Sequence, residues 1–154
     1  MKKLLWLCLL VTSGVWAQDR PALTGVWRLD PARTTSQIAL KSQTLTIRQE
    51  DESIKIEETA TEENGKERKV EFECNTNGKD CAVKLNGQAA KVSAYYNGDV
   101  LMVIEQRKSN DSTIRKRMKT SEDGNTLTIE IANLAKPGQK PESLVYAKQG
   151  SAAK

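Results

Sequence analysis

With 154 residues, 24 Lys and Arg against 20 Asp and Glu, and no histidine, the chain is one domain's worth of nearly balanced charge. That balance excludes the broad basic footprint of a nucleic-acid binder. The missing histidine removes the usual general base and the commonest metal ligand.

Residues 1–17, "MKKLLWLCLLVTSGVWA", have the layout of a cleavable secretory signal. Lys2 and Lys3 open it, Leu4 to Val11 form a short apolar run, and Val15-Trp16-Ala17 offers cleavage after Ala17. The run is too short to span a bilayer, which takes about 20 apolar residues. Trp6-Leu7 before Cys8 are not the small residues a lipoprotein site requires. The leader holds two lysines and no acids, so 22 basic residues face 20 acidic ones in the remainder. The expected mature protein is periplasmic or secreted, without a membrane span, monomeric and free of nucleic acid. Residues 18–149 form its single domain and 150–154 a frayed tail.

The opening stretch "LTGVWRLDPART" (23–34) puts Gly25, Trp27 and Leu29 on one face of a first strand, which Asp30-Pro31 ends. "PARTTSQIAL" (31–40) reads as a helical turn or an irregular lid. From there the pattern is period two. "QTLTIRQ" sets Leu45 and Ile47 against Thr44, Thr46 and Arg48, and "SIKIEETAT" sets Ile54 and Ile56 against Lys55, Glu57 and Thr59. "KVEFEC", "CAVKL", "AKVSAYYNG", "STIRKRMK", "NTLTIEI" and "ESLVYAKQ" continue it. "VLMVI" (100–104) is apolar on both faces, so it must be covered on both sides or sharply bent. Asn64-Gly65, Asn77-Gly78, Asn86-Gly87, Asn97-Gly98 and Asp123-Gly124 supply the positive φ values that tight hairpins need. The pattern predicts an all-β, antiparallel up-and-down meander of about 8–10 strands. Closing into a barrel removes its edges; a two-sheet sandwich is the other solution.

Cys74 and Cys81 are the cysteines outside the leader. Cys74 is in phase with Val70 and Phe72, and Cys81 with Val83 and Leu85. Across a hairpin the two sulfurs would share a face, which predicts a disulfide around "NTNGKD". Two soft ligands without histidine argue against a metal site. The locally basic run "RKSNDSTIRKRMK" (107–119) reads as a solvated strand face.

The Gly25-x-Trp27 opening resembles that of the lipocalins and related calycin barrels. With "KSQTLTIRQEDESIKI", "SEDGNTLTIEI" and "LVYAKQ", the run at 23–34 is most similar to small secreted bacterial lipocalin-like proteins, over most of residues 23–149. The resemblance implies a lipocalin-like barrel, with Trp27 plugging one end and Gly25 allowing another backbone to come close. Two departures stand out. The mid-chain Thr-Asp-Tyr of classical lipocalins is missing, and the arginine that stacks on the opening Trp has no direct counterpart. Lys148, Arg115 and Arg117 are the candidate cations.

No Gly-x-Ser-x-Gly elbow or phosphate-cradling loop is present. Most acids, such as Glu57, Glu71, Glu73 and Glu130, fall on wet strand faces, so no catalytic residue, cofactor or metal is assigned. Four polar residues fall on inward phases. Glu58 follows Ile54 and Ile56; Glu105 follows Leu101 and Val103; Lys116 lies between Ile114 and Met118; Tyr96 follows Val92 and Ala94. Charges are rarely buried unpaired. These residues are either polar handles at the mouth of a ligand pocket or wet groups where strand ends leave the barrel. The first expectation is therefore an exported, non-enzymatic barrel binding a small apolar or amphipathic molecule. An interior void of several hundred Å³ would favour it. A filled barrel with a protruding disulfide loop would favour a protein-binding or hydrolase-inhibitor role, and a structural envelope protein without a ligand is the third reading.

Overall fold

The computed structural model describes residues 20–37, 39–109 and 111–150. The expected leader and the residues after Gly150 lie outside them. Ten antiparallel strands follow one another: β1 (Gly25–Leu29), β2 (Leu40–Gln49), β3 (Ser53–Glu62), β4 (Glu67–Asn75), β5 (Cys81–Leu85), β6 (Gln88–Asn97), β7 (Val100–Arg107), β8 (Ser112–Thr120), β9 (Thr126–Asn133) and β10 (Glu142–Lys148). Among the described residues a single 3-10 turn, Pro31–Arg33, interrupts them, capped by the Asp30 side chain accepting from Ala32 N–H. Among the described residues no helix is long and apolar enough to cross a membrane.

Each strand pairs with its sequence neighbour, apart from β4 and β5, and β1 pairs with β10. This is the expected up-and-down barrel. Its hairpins follow the local chemistry. At β5–β6, Leu85 pairs with Gln88, and the two residues between, Asn86 (φ 51°) and Gly87 (φ 78°), take the left-handed backbone of a two-residue turn. "VLMVI" is buried from Val100 through Val103. Met102 pairs with Arg117 and Ile104 with Arg115, which sets long aliphatic stems beside the outward apolar residues of β7.

The ladder is not continuous. The order runs β4-β3-β2-β1-β10-β9-β8-β7-β6-β5, so β4 and β5 are its two ends. Cys74 and Cys81 do not face each other across a hairpin ladder, as the sequence suggests; they are bonded across this seam, with Cα atoms 5.8 Å apart. The intervening loop is tied down rather than protruding. Thr76 N–H donates to the Glu52 carbonyl at 2.8 Å, Gly78 N–H donates to the Ala94 carbonyl at 2.9 Å, and Asn77 bridges to Tyr95. These bonds draw the loop onto β6 and the β2–β3 turn, and β4 and β5 lose their own ladder. Closing so short a loop stabilises by about 2.5 kcal/mol in the chain-entropy model. Replacing both cysteines by serine is expected to lower the unfolding free energy by about that amount in urea. Intact mass before and after reduction should differ by two hydrogen atoms; an unchanged mass would rule the bond out.

One end of the barrel is plugged. Leu23 and Trp27 are fully buried, and Trp27 Nε1–H donates to the Leu23 carbonyl at 2.8 Å. The segment before β1 lies across this end: Leu23 N–H donates to Gln49 Oε1 at 3.1 Å and Arg20 Nη1 donates to the Asp51 carbonyl at 2.7 Å. The cation over Trp27 is Lys148, its ammonium 5.2 Å from the ring centroid. The register sets Trp27 opposite Lys148, while Arg117 pairs with Glu130 on the outside at 2.7 Å. Gly25 makes room for this side chain, not for another backbone. A Cβ there would meet Lys148 Cε at 2.9 Å, and its φ of 149° is one that only glycine adopts readily.

Candidate functional site

The opposite end holds a cavity of about 190 Å³. The same period-two phase that buries the core carries polar side chains into it from four strands. On β3, Glu58 follows Ile54 and Ile56; on β4, Arg68 precedes Val70 and Phe72; on β7, Glu105 and Arg107 follow Leu101 and Val103; on β8, Lys116 lies between Ile114 and Met118. All five charged residues line the cavity, with Leu45, Val70, Ile129, Leu144 and Tyr146 among its apolar wall. Beneath it a recess of about 20 Å³ shares Leu45, Glu58, Val70, Lys116 and Ile129, and adds Ile56, Phe72, Val103 and Met118. A charged level thus sits above an apolar floor.

The charges are paired. Glu105 is 1% exposed and binds Arg107 Nη2 at 2.6 Å and the Lys116 ammonium. Glu58 binds Arg68 Nη2 at 2.8 Å. Burial alone would raise the Glu105 carboxyl, but the Lys116 ammonium and the Arg107 guanidinium outweigh it and hold the group below the usual carboxylate range. Burial alone would lower Lys116, but Glu105 and then Glu58 outweigh it and hold the ammonium above the usual lysine value. Tyr146, fully buried, donates to Gln43 Oε1 at 3.0 Å, and burial drives its hydroxyl far above the ordinary phenol range. At the rim, Glu142 Oε2 accepts from the Ser36 hydroxyl at 2.9 Å and from Gln37 N–H at 3.3 Å. These bonds, with a bridge between Thr35 and Ser143, tie the irregular 34–37 segment to β10. Ile38 in the expected lid lies outside the described residues.

Lys116, Glu58 and Glu105 are therefore brought together, inside the wall rather than wet. Tyr96 is not with them. It has the inward phase but sits at the plugged end, its hydroxyl accepting from Gln49 Nε2 at 2.9 Å and its ring 4.9 Å from the Arg20 guanidinium. Phase gives a residue its face and not its level along the barrel, so Tyr96 drops out of the site. Arg68, Arg107 and Gln43 are among the polar lining residues that sequence reasoning missed, with Ser36, Asn86 and Glu142 at the same end. The signal was present, since Arg68 is two residues before Val70, Arg107 two after Glu105, and Gln43 two before Leu45.

No family model matches the chain, and no curated protein matches it in sequence. Solved structures do match its fold. The chain is similar to the fluorescent protein UnaG (12% identity, 82% of this chain and 97% of that one, TM-score 0.61). It is similar to secretory abundant heat soluble protein 4 of Ramazzottius varieornatus (12%, 82% and 94%, TM-score 0.60). It is also similar to the fatty-acid-binding protein of Schistosoma mansoni, solved with arachidonic acid (13%, 82% and 96%, TM-score 0.58). At these identities the likeness is one of fold: the chain folds as a calycin-type barrel.

Proposed function

We propose that this protein is an exported, non-enzymatic barrel that holds a small apolar or amphipathic molecule at its open end. The observation that carries this reading is the charged level of Glu58, Arg68, Glu105, Arg107 and Lys116 set over the apolar recess of Ile56, Phe72, Val103 and Met118. A pocket that is mostly apolar with a few convergent polar groups is the usual form of a small-molecule site. Similar folds in fatty-acid-binding proteins, one of them holding arachidonic acid, support the same class of task.

Volume bounds the occupant. About 190 Å³ falls short of the several hundred Å³ of a roomy carrier. It exceeds the roughly 150 Å³ of an engineered cavity that takes up benzene. A ring or a short chain fits; a long acyl chain would have to displace side chains. Export rests on the leader pattern of residues 1–17, with cleavage after Ala17, and the Cys74–Cys81 disulfide fits an oxidising compartment. In this reading the mature chain works as a monomer.

Native mass spectrometry tests the proposal on protein exported to the periplasm. A retained small molecule, or uptake of one from a solvent extract of the host's lipids, is the expected result. A protein that emerges empty and stays empty through that extract would end the carrier reading. Ile129→Trp, which fills the shared wall of cavity and recess, is expected to abolish uptake while costing about 1–3 kcal/mol of stability.

A further inference from the structure

The binding reading leaves the charge of the occupant open, and the cavity's own side chains bear on it. The lining carries three cations, Arg68, Arg107 and Lys116, and three carboxylates, Glu58, Glu105 and Glu142. These charges balance, and they are committed to the wall itself. Glu58 holds Arg68, and Glu105 holds Arg107 and Lys116. Glu142 accepts from the Ser36 hydroxyl and from Gln37 N–H at the rim. The Nε–H groups of Arg68 and Arg107 make no hydrogen bond, but they are sealed within the wall, out of an occupant's reach, as is that of Arg115 away from the cavity. An ion entering here would give up its water and meet no uncommitted opposite charge, which is a costly exchange.

Gln43 is committed on one side only. It shares the inward phase of Leu45 and Ile47 on β2, is 3% exposed and lines the cavity. Its Oε1 accepts from the Tyr146 hydroxyl at 3.0 Å, which occupies the amide oxygen. The other end of the amide, Nε2, makes no hydrogen bond among the described residues and, unlike the arginine Nε atoms, is not sealed off. A neutral donor left free in a charge-balanced cavity calls for a neutral acceptor.

We infer that the occupant is an uncharged molecule: a compact apolar ring or short chain directed toward Phe72 and Met118, bearing one neutral oxygen acceptor, a hydroxyl or a carbonyl, that takes the hydrogen bond from Gln43 Nε2. This rests on the binding reading above and adds to it the charge of the occupant and the residue that orients it. Leu45, two residues on from Gln43, lines both the cavity and the recess. A body beyond the amide therefore runs along the strand onto the apolar floor.

Four probes built on one benzyl group separate the cases by calorimetric titration of the exported protein at neutral pH: benzyl alcohol, toluene, phenylacetate and benzylamine. Benzyl alcohol is expected to bind at least about tenfold more tightly than phenylacetate and than benzylamine, because each ion loses its water without gaining a free partner. Gln43→Met keeps most of the volume and removes the donor. It should weaken benzyl alcohol several-fold, the size of one hydrogen bond, and leave toluene unchanged. Gln43→Met combined with Tyr146→Phe strands no hydroxyl in the wall and should give the same pattern, with Trp27 fluorescence reporting an intact fold. Phenylacetate or benzylamine binding as tightly as benzyl alcohol overturns the charge assignment and leaves the binding reading standing. In the double variant, an equal loss for benzyl alcohol and toluene, or no loss for either, overturns the role of Gln43. Binding of none of the four overturns both this inference and the binding reading.

Discussion

Glu105→Ala is expected to destabilise the fold by about 3–5 kcal/mol at neutral pH, because it strands the Lys116 ammonium in the barrel wall. Glu105 is 1% exposed and holds both Arg107 and Lys116, which are 32% and 19% exposed. Arg107 can turn toward water when its partner is lost; Lys116, flanked by Ile114 and Met118 on its own strand, has less freedom. Removing both ends of the buried pair should therefore recover most of the loss. Glu105→Leu combined with Lys116→Met is expected to lie within about 1–2 kcal/mol of the parent, as apolar replacement of a buried pair often does. Urea denaturation of the two variants checks this, and a Glu105→Ala effect below about 1 kcal/mol would mean that the network is not sealed from water.

The same network fixes a pH window. The folded Glu105 carboxyl is held below its ordinary value of 4.5, so its contribution is present above the usual carboxylate range and is lost as pH falls through the lowered value. The folded Lys116 ammonium is held above its ordinary 10.5, so its contribution is present below that value and is lost as pH rises through the raised one. Stability from this network should form a plateau across neutral pH, and Glu105→Leu with Lys116→Met should remove both flanks.

Trp27→Ala is the second large expected effect, about 3–5 kcal/mol. The indole is fully buried against Leu23, donates to the Leu23 carbonyl, and lies under Lys148. The substitution opens a cavity, orphans a carbonyl and removes the cation's partner together. Trp27→Phe keeps most of the packing and loses mainly the hydrogen bond, for about 1 kcal/mol. Trp27 is the one tryptophan outside residues 1–17, so in protein prepared without those residues indole fluorescence reports on the plugged end alone. Calorimetry of the Ala variant should show a melting temperature lowered by roughly 10 °C or more. A shift of only a few degrees would contradict the plug.

Much of the fold was legible because antiparallel strands write their burial into alternation. The strands around Leu45, Ile54, Phe72 and Ile129, the Asn-Gly turns and the buried Trp27 follow from residue spacing. The seam between β4 and β5 does not. Nothing local in "KVEFEC" or "CAVKL" says that these strands lack a ladder; that depends on where the intervening loop docks. Register was equally hidden. It set Lys148 over Trp27 rather than Arg115 or Arg117, and it placed Tyr96 at the plugged end although its phase is inward. The site was half legible. Glu58, Glu105 and Lys116 announced themselves as charges on apolar phases. Arg68 and Arg107 have the same phase, but long side chains near strand ends read as solvated, and only their carboxylate partners keep them in the wall.

The central claim is that the open-end cavity, and not an outer face, takes up a small molecule. Nuclear magnetic resonance titration of the exported protein with benzyl alcohol, a compact amphipathic probe, tests it most directly. The expected result is a saturable set of shifts centred on Val70, Phe72, Met118 and Ile129 and on the Arg68 and Arg107 side chains. Shifts confined to the outer groove lined by Val100, Arg117 and Thr128, or no saturable shift at all, would contradict it.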